Sequence, residues 1–113
     1  MRQIEVVADA TAVARAAATH IASAAQEAIA ERGRFTIALS GGTTPRATYA
    51  LLAEENADAI AWSDVHVFWA DERCVPPGHA ASNYRMASEI LMRRVGLPLT
   101  NVHRVRGEIV CEE

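Results

Sequence analysis

The feature that most restricts the fold is a repeated succession of apolar run, polar loop and helical stretch. Phe35 to Leu39 and Val65 to Ala70 are compact apolar runs rather than strict alternations. Strands of that kind are buried on both faces, as in parallel sheets covered by helices. Gln3 to Val7 is a further β-prone run, and Asn101 to Val105 begins another. The helical stretches between them have recognisable ends. Asp9 suits the N-cap of the first and Gly33 its C′ position, with Val13, Ala17, Ile21, Ala25 and Ala28 sharing one face. The second runs from Pro45 to Glu55, with proline where a first turn tolerates it. Ser82 caps the third, Met86, Ile90, Leu91 and Val95 share its face, and Gly96 and Pro98 close it. The order βαβαβαβ predicts an open, mostly parallel α/β sheet with helices on both faces and right-handed crossovers.

The chain has 113 residues, which predicts a single α/β domain over 1–113 with its own core and no second domain. Its net charge is −3 and all eleven basic residues are arginine, without a dense positive block. A nucleic-acid or anionic-membrane partner held by a broad basic face is therefore not expected. The alanine-rich stretch over 8–30 is interrupted by Arg15, Thr19, His20, Gln26 and Glu27, so it does not read as a membrane span. The first residues lack the pattern of a secretory signal, and the cytoplasm is the expected compartment. Cys74 and Cys111 have no CxxC partner, and His20, His66, His79 and His103 show no metal-ligand spacing. Reduced thiols and no bound metal are expected.

In open parallel sheets, ligands sit at the carboxyl ends of the strands. Two polar clusters fall there. Ser40-Gly41-Gly42-Thr43-Thr44-Pro45-Arg46 offers close backbone approach, two hydroxyls and free amides at the positive end of a helix, the features of a phosphate site. Arg46 lies in the first helical turn, where the macrodipole disfavours a cation unless an anion is bound nearby. An ordinary tight turn with a threonine cap accounts for the same residues equally well. The loop is neither a Walker A sequence nor a GxGxxG fingerprint. The second cluster is Asp71-Glu72-Arg73. Its guanidinium suits phosphate or carboxylate oxygens, and a neighbouring carboxylate can orient hydroxyls or move a proton. Taken alone, such a cluster reads first as a solvated acidic–basic turn. Alternation along an extended segment puts Asp71 and Arg73 on one side and Glu72 on the other, which favours the outer two as site residues. His79 reads as an exposed loop histidine, and Trp62 and Trp69 as packing.

Three ordered blocks carry a resemblance over almost the whole chain. They are Leu39-Ser-Gly-Gly-Thr-Thr-Pro-Arg46 with Tyr49 and Leu51-Leu52; Trp69-Ala-Asp-Glu-Arg-Cys-Val-Pro-Pro77 with His79 and Ser82-Asn-Tyr-Arg-Met-Ala87; and Asn101-Val-His-Arg-Val-Arg-Gly-Glu108. Together they resemble the 6-phosphogluconolactonase family. The resemblance implies the α/β fold shared with glucosamine-6-phosphate deaminase, ribose-5-phosphate isomerase and CoA transferases, here in truncated form. It implies hydrolysis of 6-phospho-D-glucono-1,5-lactone to 6-phosphogluconate in the oxidative pentose phosphate pathway, without a cofactor. By position, Gly41, Gly42, Thr43, Thr44 and Arg73 fall in the substrate- and phosphate-binding region, and Asp71 is the candidate catalytic residue.

The family's proposed general base is a histidine in a later Gly-His-Thr-Ala-Ser type motif, and this sequence has no such motif. Members of the family are about twice this length. The chain therefore resembles an amino-terminal portion, expected to have little or no lactonase activity alone and to associate through an unpaired sheet edge. Two other readings stand beside it. One is a sugar-phosphate isomerase or deaminase of the same fold, against which Arg73 counts, since deaminases tend to carry an aromatic residue after Asp-Glu. The other is a non-catalytic fragment that binds phosphate.

Overall fold

The structure, a computed structural model, describes residues 9–110. The expected strand over 3–7 and Cys111 lie outside those residues. Helix α1 (Ala10–Arg32) is followed by strand β1 (Phe35–Leu39), helix α2 (Thr43–Glu55), two single 3-10 turns and strand β2 (Val65–Trp69). Helix α3 (Asn83–Ala87) continues through a π-turn (Ser88–Met92) into α4 (Arg93–Val95), and α5 (Gly107–Val110) ends the described chain.

The ends of these helices follow from local chemistry. The Asp9 carboxylate accepts from the Ala12 N–H at 2.8 Å and satisfies one of the free donors of α1. At the other end Gly33 takes the left-handed conformation, φ +80°, and its N–H donates to the Ile29 carbonyl. Gly96, at φ +71°, closes α4 in the same conformation. Helix α2 begins at Thr43, two residues before the expected proline start.

β1 and β2 pair in parallel, with Phe35 opposite Val65 and Leu39 opposite Trp69. Parallel strands cannot be joined by a hairpin, and α2 makes the crossover. Val102 adds a single parallel bridge to Val67, with the His103 N–H donating to the Val67 carbonyl at 2.9 Å. The expected strand from Asn101 is thus one bridge long among the described residues, because Leu99–Asn101 is wound into a 3-10 turn.

One face of the sheet carries the core. Leu39, Val65, Val67 and Trp69 are buried there with Leu52 and Tyr49 of α2, Leu91 and Met92 of the π-turn, and the alanines of α1. Each fully buried aliphatic side chain of this kind stabilises the fold by about 1.5–3 kcal/mol. Of the expected α1 face, Ala25 and Ala28 are buried and Ile21 packs partly against the core, but Val13 is 41% exposed and Ala14, Ala18 and Ala22 fill the earlier turns of the stripe instead. Small side chains let α1 approach α2 closely, and the pair is fastened by Arg15, whose guanidinium donates twice to the Glu55 carboxylate, at 3.2 and 2.9 Å. On the opposite face of the sheet Thr36, Ala38 and Phe68 are exposed. There His66 Nδ1 and His103 Nε2 lie 3.2 Å apart, and the His103 ring stacks on Phe68.

Cys74 is disulfide-bonded, which corrects the expectation of a reduced thiol at that position. No helix among the described residues is long and apolar enough to cross a membrane.

Candidate functional site

β1 and β2 end side by side, and the Ala70 N–H donates to the Leu39 carbonyl at 2.8 Å just beyond them. The two loops that leave the strands, 40–42 and 70–82, therefore start as neighbours at the carboxyl edge of the sheet. Between them lies a cleft of about 300 Å³. Gly42, Thr43 and Arg46 line it from one side, Arg73, Ser82, Asn83 and Met86 from the other.

The first wall is the amino end of α2. Gly42 stands at φ +112°, a region that side-chain-bearing residues rarely adopt, and it turns the chain into the helix. No side chain caps this end, and its first turn holds no acidic residue. The end thus presents open N–H groups and the positive pole of the helix, with the Arg46 guanidinium beside it. Tyr49 anchors the loop from below: its hydroxyl accepts from the Ser40 N–H at 2.9 Å and donates to the Ser40 carbonyl at 3.0 Å. Burial pushes the Tyr49 hydroxyl above its ordinary pKa, against the opposing effect of its bonds to Ser40.

The second wall is held by hydrogen bonds to Glu72. Its carboxylate accepts from the N–H groups of Arg73, Asn83 and Tyr84 and from the Ser82 hydroxyl. Ser82 in turn caps α3 by accepting from the Arg85 N–H at 3.2 Å. Burial works against the charge on Glu72, yet these four donors outweigh it and hold the carboxyl below its usual range. Asn83 joins the two walls. Its side-chain amide donates to the Asp71 carbonyl at 3.3 Å, and its Oδ1 occupies the space that a Cβ on Gly41 would need.

Behind the 70–82 loop, Gly107 is packed so closely that a Cβ there would collide with the Arg73 carbonyl oxygen. Arg104 fixes that segment through paired 2.9 Å bonds to Glu108, holding the Glu108 carboxyl down to about 2. The Arg104 guanidinium also lies over the Tyr84 ring, 5.8 Å from its centroid.

Of the residues singled out in the sequence, Gly42, Thr43, Arg46 and Arg73 line the cleft. Gly41, Thr44 and Asp71 do not. Gly41 packs on Asn83, the Thr44 carbonyl accepts from the Thr48 hydroxyl, and Asp71 is exposed with its carbonyl bound by Asn83. His79 is also outside; its Nδ1 accepts from the Ala81 N–H within its own loop. Sequence reasoning did not single out Asn83, Met86 or Ser82 as cleft residues. The signals for them were the N-cap pattern at Ser82, which places the start of a helix but not what it faces, and the Ser82 to Ala87 block of the family resemblance, to which no role was attached.

The model of the glucosamine-6-phosphate isomerases/6-phosphogluconolactonase family matches residues 8–113. The chain belongs to that family. It is 42% identical over 104 residues to the 6-phosphogluconolactonase of Nostoc sp., an overlap of 92% of this chain and 42% of the relative. A probable chloroplastic 6-phosphogluconolactonase of Oryza sativa is 40% identical over 100 residues, 88% of this chain and 31% of the relative. Among solved structures, the 6-phosphogluconolactonase of Trypanosoma brucei superposes with a TM-score of 0.83 at 29% identity, over 97% of this chain and 41% of its own. A monomeric glucosamine-6-phosphate deaminase superposes with a TM-score of 0.81 at 14% identity, a likeness of fold alone. These matches establish the α/β fold of the family. The chain spans less than half the length of the relatives it matches.

Proposed function

We propose that this chain is the amino-terminal, phosphate-binding portion of a 6-phosphogluconolactonase domain, acting in the oxidative pentose phosphate pathway of the cytoplasm. The observation that carries the reading is the cleft itself. It combines the uncapped amino end of α2 with two guanidiniums, Arg46 and Arg73, in a space that suits a small phosphorylated sugar. Arginine forks bind phosphate oxygens in pairs, and the amide of Thr43 supplies a further donor. In this reading Gly42, Thr43 and Arg73 contact the ligand, Gly41 and Thr44 belong to the loop that shapes the binding region, and Asp71 stands at its margin as the candidate catalytic carboxylate. The names of the relatives support a sugar-phosphate lactone as ligand.

Lactone hydrolysis needs a water, a base to take its proton and donors for the oxyanion. The cleft supplies donors, and a phosphate held away from C1 would orient the lactone carbonyl. No histidine is among its lining residues. That observation favours a second reading for the chain by itself, in which it binds sugar phosphate without turning it over.

The test is hydrolysis of freshly generated 6-phosphogluconolactone by the purified chain, corrected for the spontaneous rate, beside titration with 6-phosphogluconate. Binding that is weakened but still measurable in Arg73→Ala, with no turnover, is expected. Turnover abolished by Asp71→Asn would make the chain catalytic in its own right. Absence of any sugar-phosphate binding by the folded chain would refute the proposal.

A further inference from the structure

Glu72 lines no part of the cleft, yet most of one wall is referenced to it. Oε1 accepts from the Arg73 and Asn83 N–H groups, both at 2.7 Å, and Oε2 from the Tyr84 N–H at 3.0 Å and the Ser82 hydroxyl at 3.1 Å. A carboxylate bound to the next residue's N–H restricts the backbone dihedrals on both sides of that peptide, and so the direction in which Arg73 leaves the chain. The same carboxylate holds Ser82 and Asn83, which share the wall with Arg73. Nothing in a solvated turn requires this convergence. Four donors from four residues on one side chain is the pattern of a built junction.

The charge has a second effect. Two helices begin at the cleft, and a free amino end attracts anions. The first N–H groups of α3 are taken by Glu72 and Ser82, and the carboxylate brings a negative charge to that end. The amino end of α2 has neither a side-chain cap nor an acid in its first turn. An anion entering the cleft is therefore turned away from α3 and toward α2, where Arg46 stands.

We infer that Glu72 is the positioning residue of this cleft: it fixes Arg73 in the wall opposite α2 and reserves the amino end of α2 for the ligand's phosphate. The part that concerns the ligand rests on the phosphate-binding reading above; the part that concerns Arg73 does not.

Glu72→Gln keeps the shape and one acceptor, but removes the charge and turns an NH2 toward the Ser82 and Tyr84 donors. The test compares the 113-residue chain with Glu72→Gln, Arg73→Ala and the double variant. Nitrogen-15 relaxation reads the order of the Arg73 backbone and Nε, and titration with inorganic phosphate reads affinity. In Glu72→Gln, the Arg73 order parameter is expected to fall to the range of flexible loops, below about 0.6. Phosphate affinity is expected to fall about tenfold, the scale of one charge-assisted contact. Adding Glu72→Gln to Arg73→Ala is expected to weaken phosphate no further, whereas a merely structural loss would weaken both backgrounds equally.

An Arg73 as rigid in Glu72→Gln as in the parent overturns the inference, as does an equal loss of affinity in both backgrounds. A parent chain that binds no phosphate refutes the phosphate-binding reading, and the relaxation comparison still decides the role of Glu72. Should Glu72→Gln fail to fold, Ser82→Ala removes one of the four bonds and leaves the charge. Partial loss of Arg73 order there supports the inference, and no change overturns it.

Discussion

Gly33, Gly41 and Gly42 are glycines for three different reasons, and substitution separates them. Gly33 has open space around its missing Cβ and a left-handed backbone. Gly33→Ala is expected to lower stability by about 1–2 kcal/mol, read by thermal melting, and to leave phosphate affinity unchanged. Gly42 stands in a backbone region reserved for glycine at the mouth of the cleft, so Gly42→Ala should cost about 1–3 kcal/mol and weaken phosphate binding as well. Gly41 has no unusual dihedral, but its added Cβ would displace the Asn83 side chain. Asn83→Ala in the Gly41→Ala background should recover part of the lost stability, and failure to recover any would mean that the Asn83 contact does not explain the glycine. The role of Glu72 was not legible in the sequence. Alternation along a strand put it opposite Asp71 and Arg73, but β2 ends at Trp69, so strand pairing does not set the directions of these side chains. Three of the four donors that the carboxylate binds lie ten to twelve residues downstream.

At the scale of elements, the caps were legible and the packing face of α1 only in its second half. Asp9, Gly33, Ser82 and Gly96 act where their side chains or their backbone freedom predict, because a cap is decided by a few neighbouring residues. A helix with alanine on most of its circumference has no strong apolar stripe. The choice between the Val13 and Ala14 faces falls to the partner, which here rewards close approach over bulk. Ala18→Leu is accordingly expected to destabilise the protein by about 1–3 kcal/mol in chemical denaturation, although it replaces one apolar residue by another. The Arg104–Glu108 pair makes a prediction in pH. Glu108 is held at about 2 in the folded chain against an ordinary 4.5, so its contribution is present above that ordinary value and lost as pH falls toward 2. In that interval the unfolded chain binds the extra proton. Melting temperature should fall across the interval in the parent, and less steeply in Glu108→Gln; equal slopes would contradict the assignment.

The parallel α/β fold was legible as a whole because run, loop and helix recur in order, and a parallel pair demands that order. The described sheet is covered on one face only, and compact apolar runs did not reveal this. Phe68 and Ala38 fit the apolar pattern yet are exposed beside Thr36 and His103. An exposed aromatic surface on a sheet favours contact between molecules. Concentration-dependent association, followed by sedimentation velocity, is expected for the chain and should be reduced by Phe68→Ser; an unchanged profile would exclude this face as the cause.

The parallel register of β1 and β2 also governs time. No local turn can bring these strands together, so their pairing waits for the intervening chain to coil and dock, and such non-local closure slows folding. The cleft has no earlier existence. Its two walls hang from the ends of those strands, and Arg46 and Arg73 come to line one space only when the register closes. Refolding followed by core fluorescence and refolding followed by phosphate capture should therefore share one rate constant. The chain acquires its affinity at the moment it acquires its sheet.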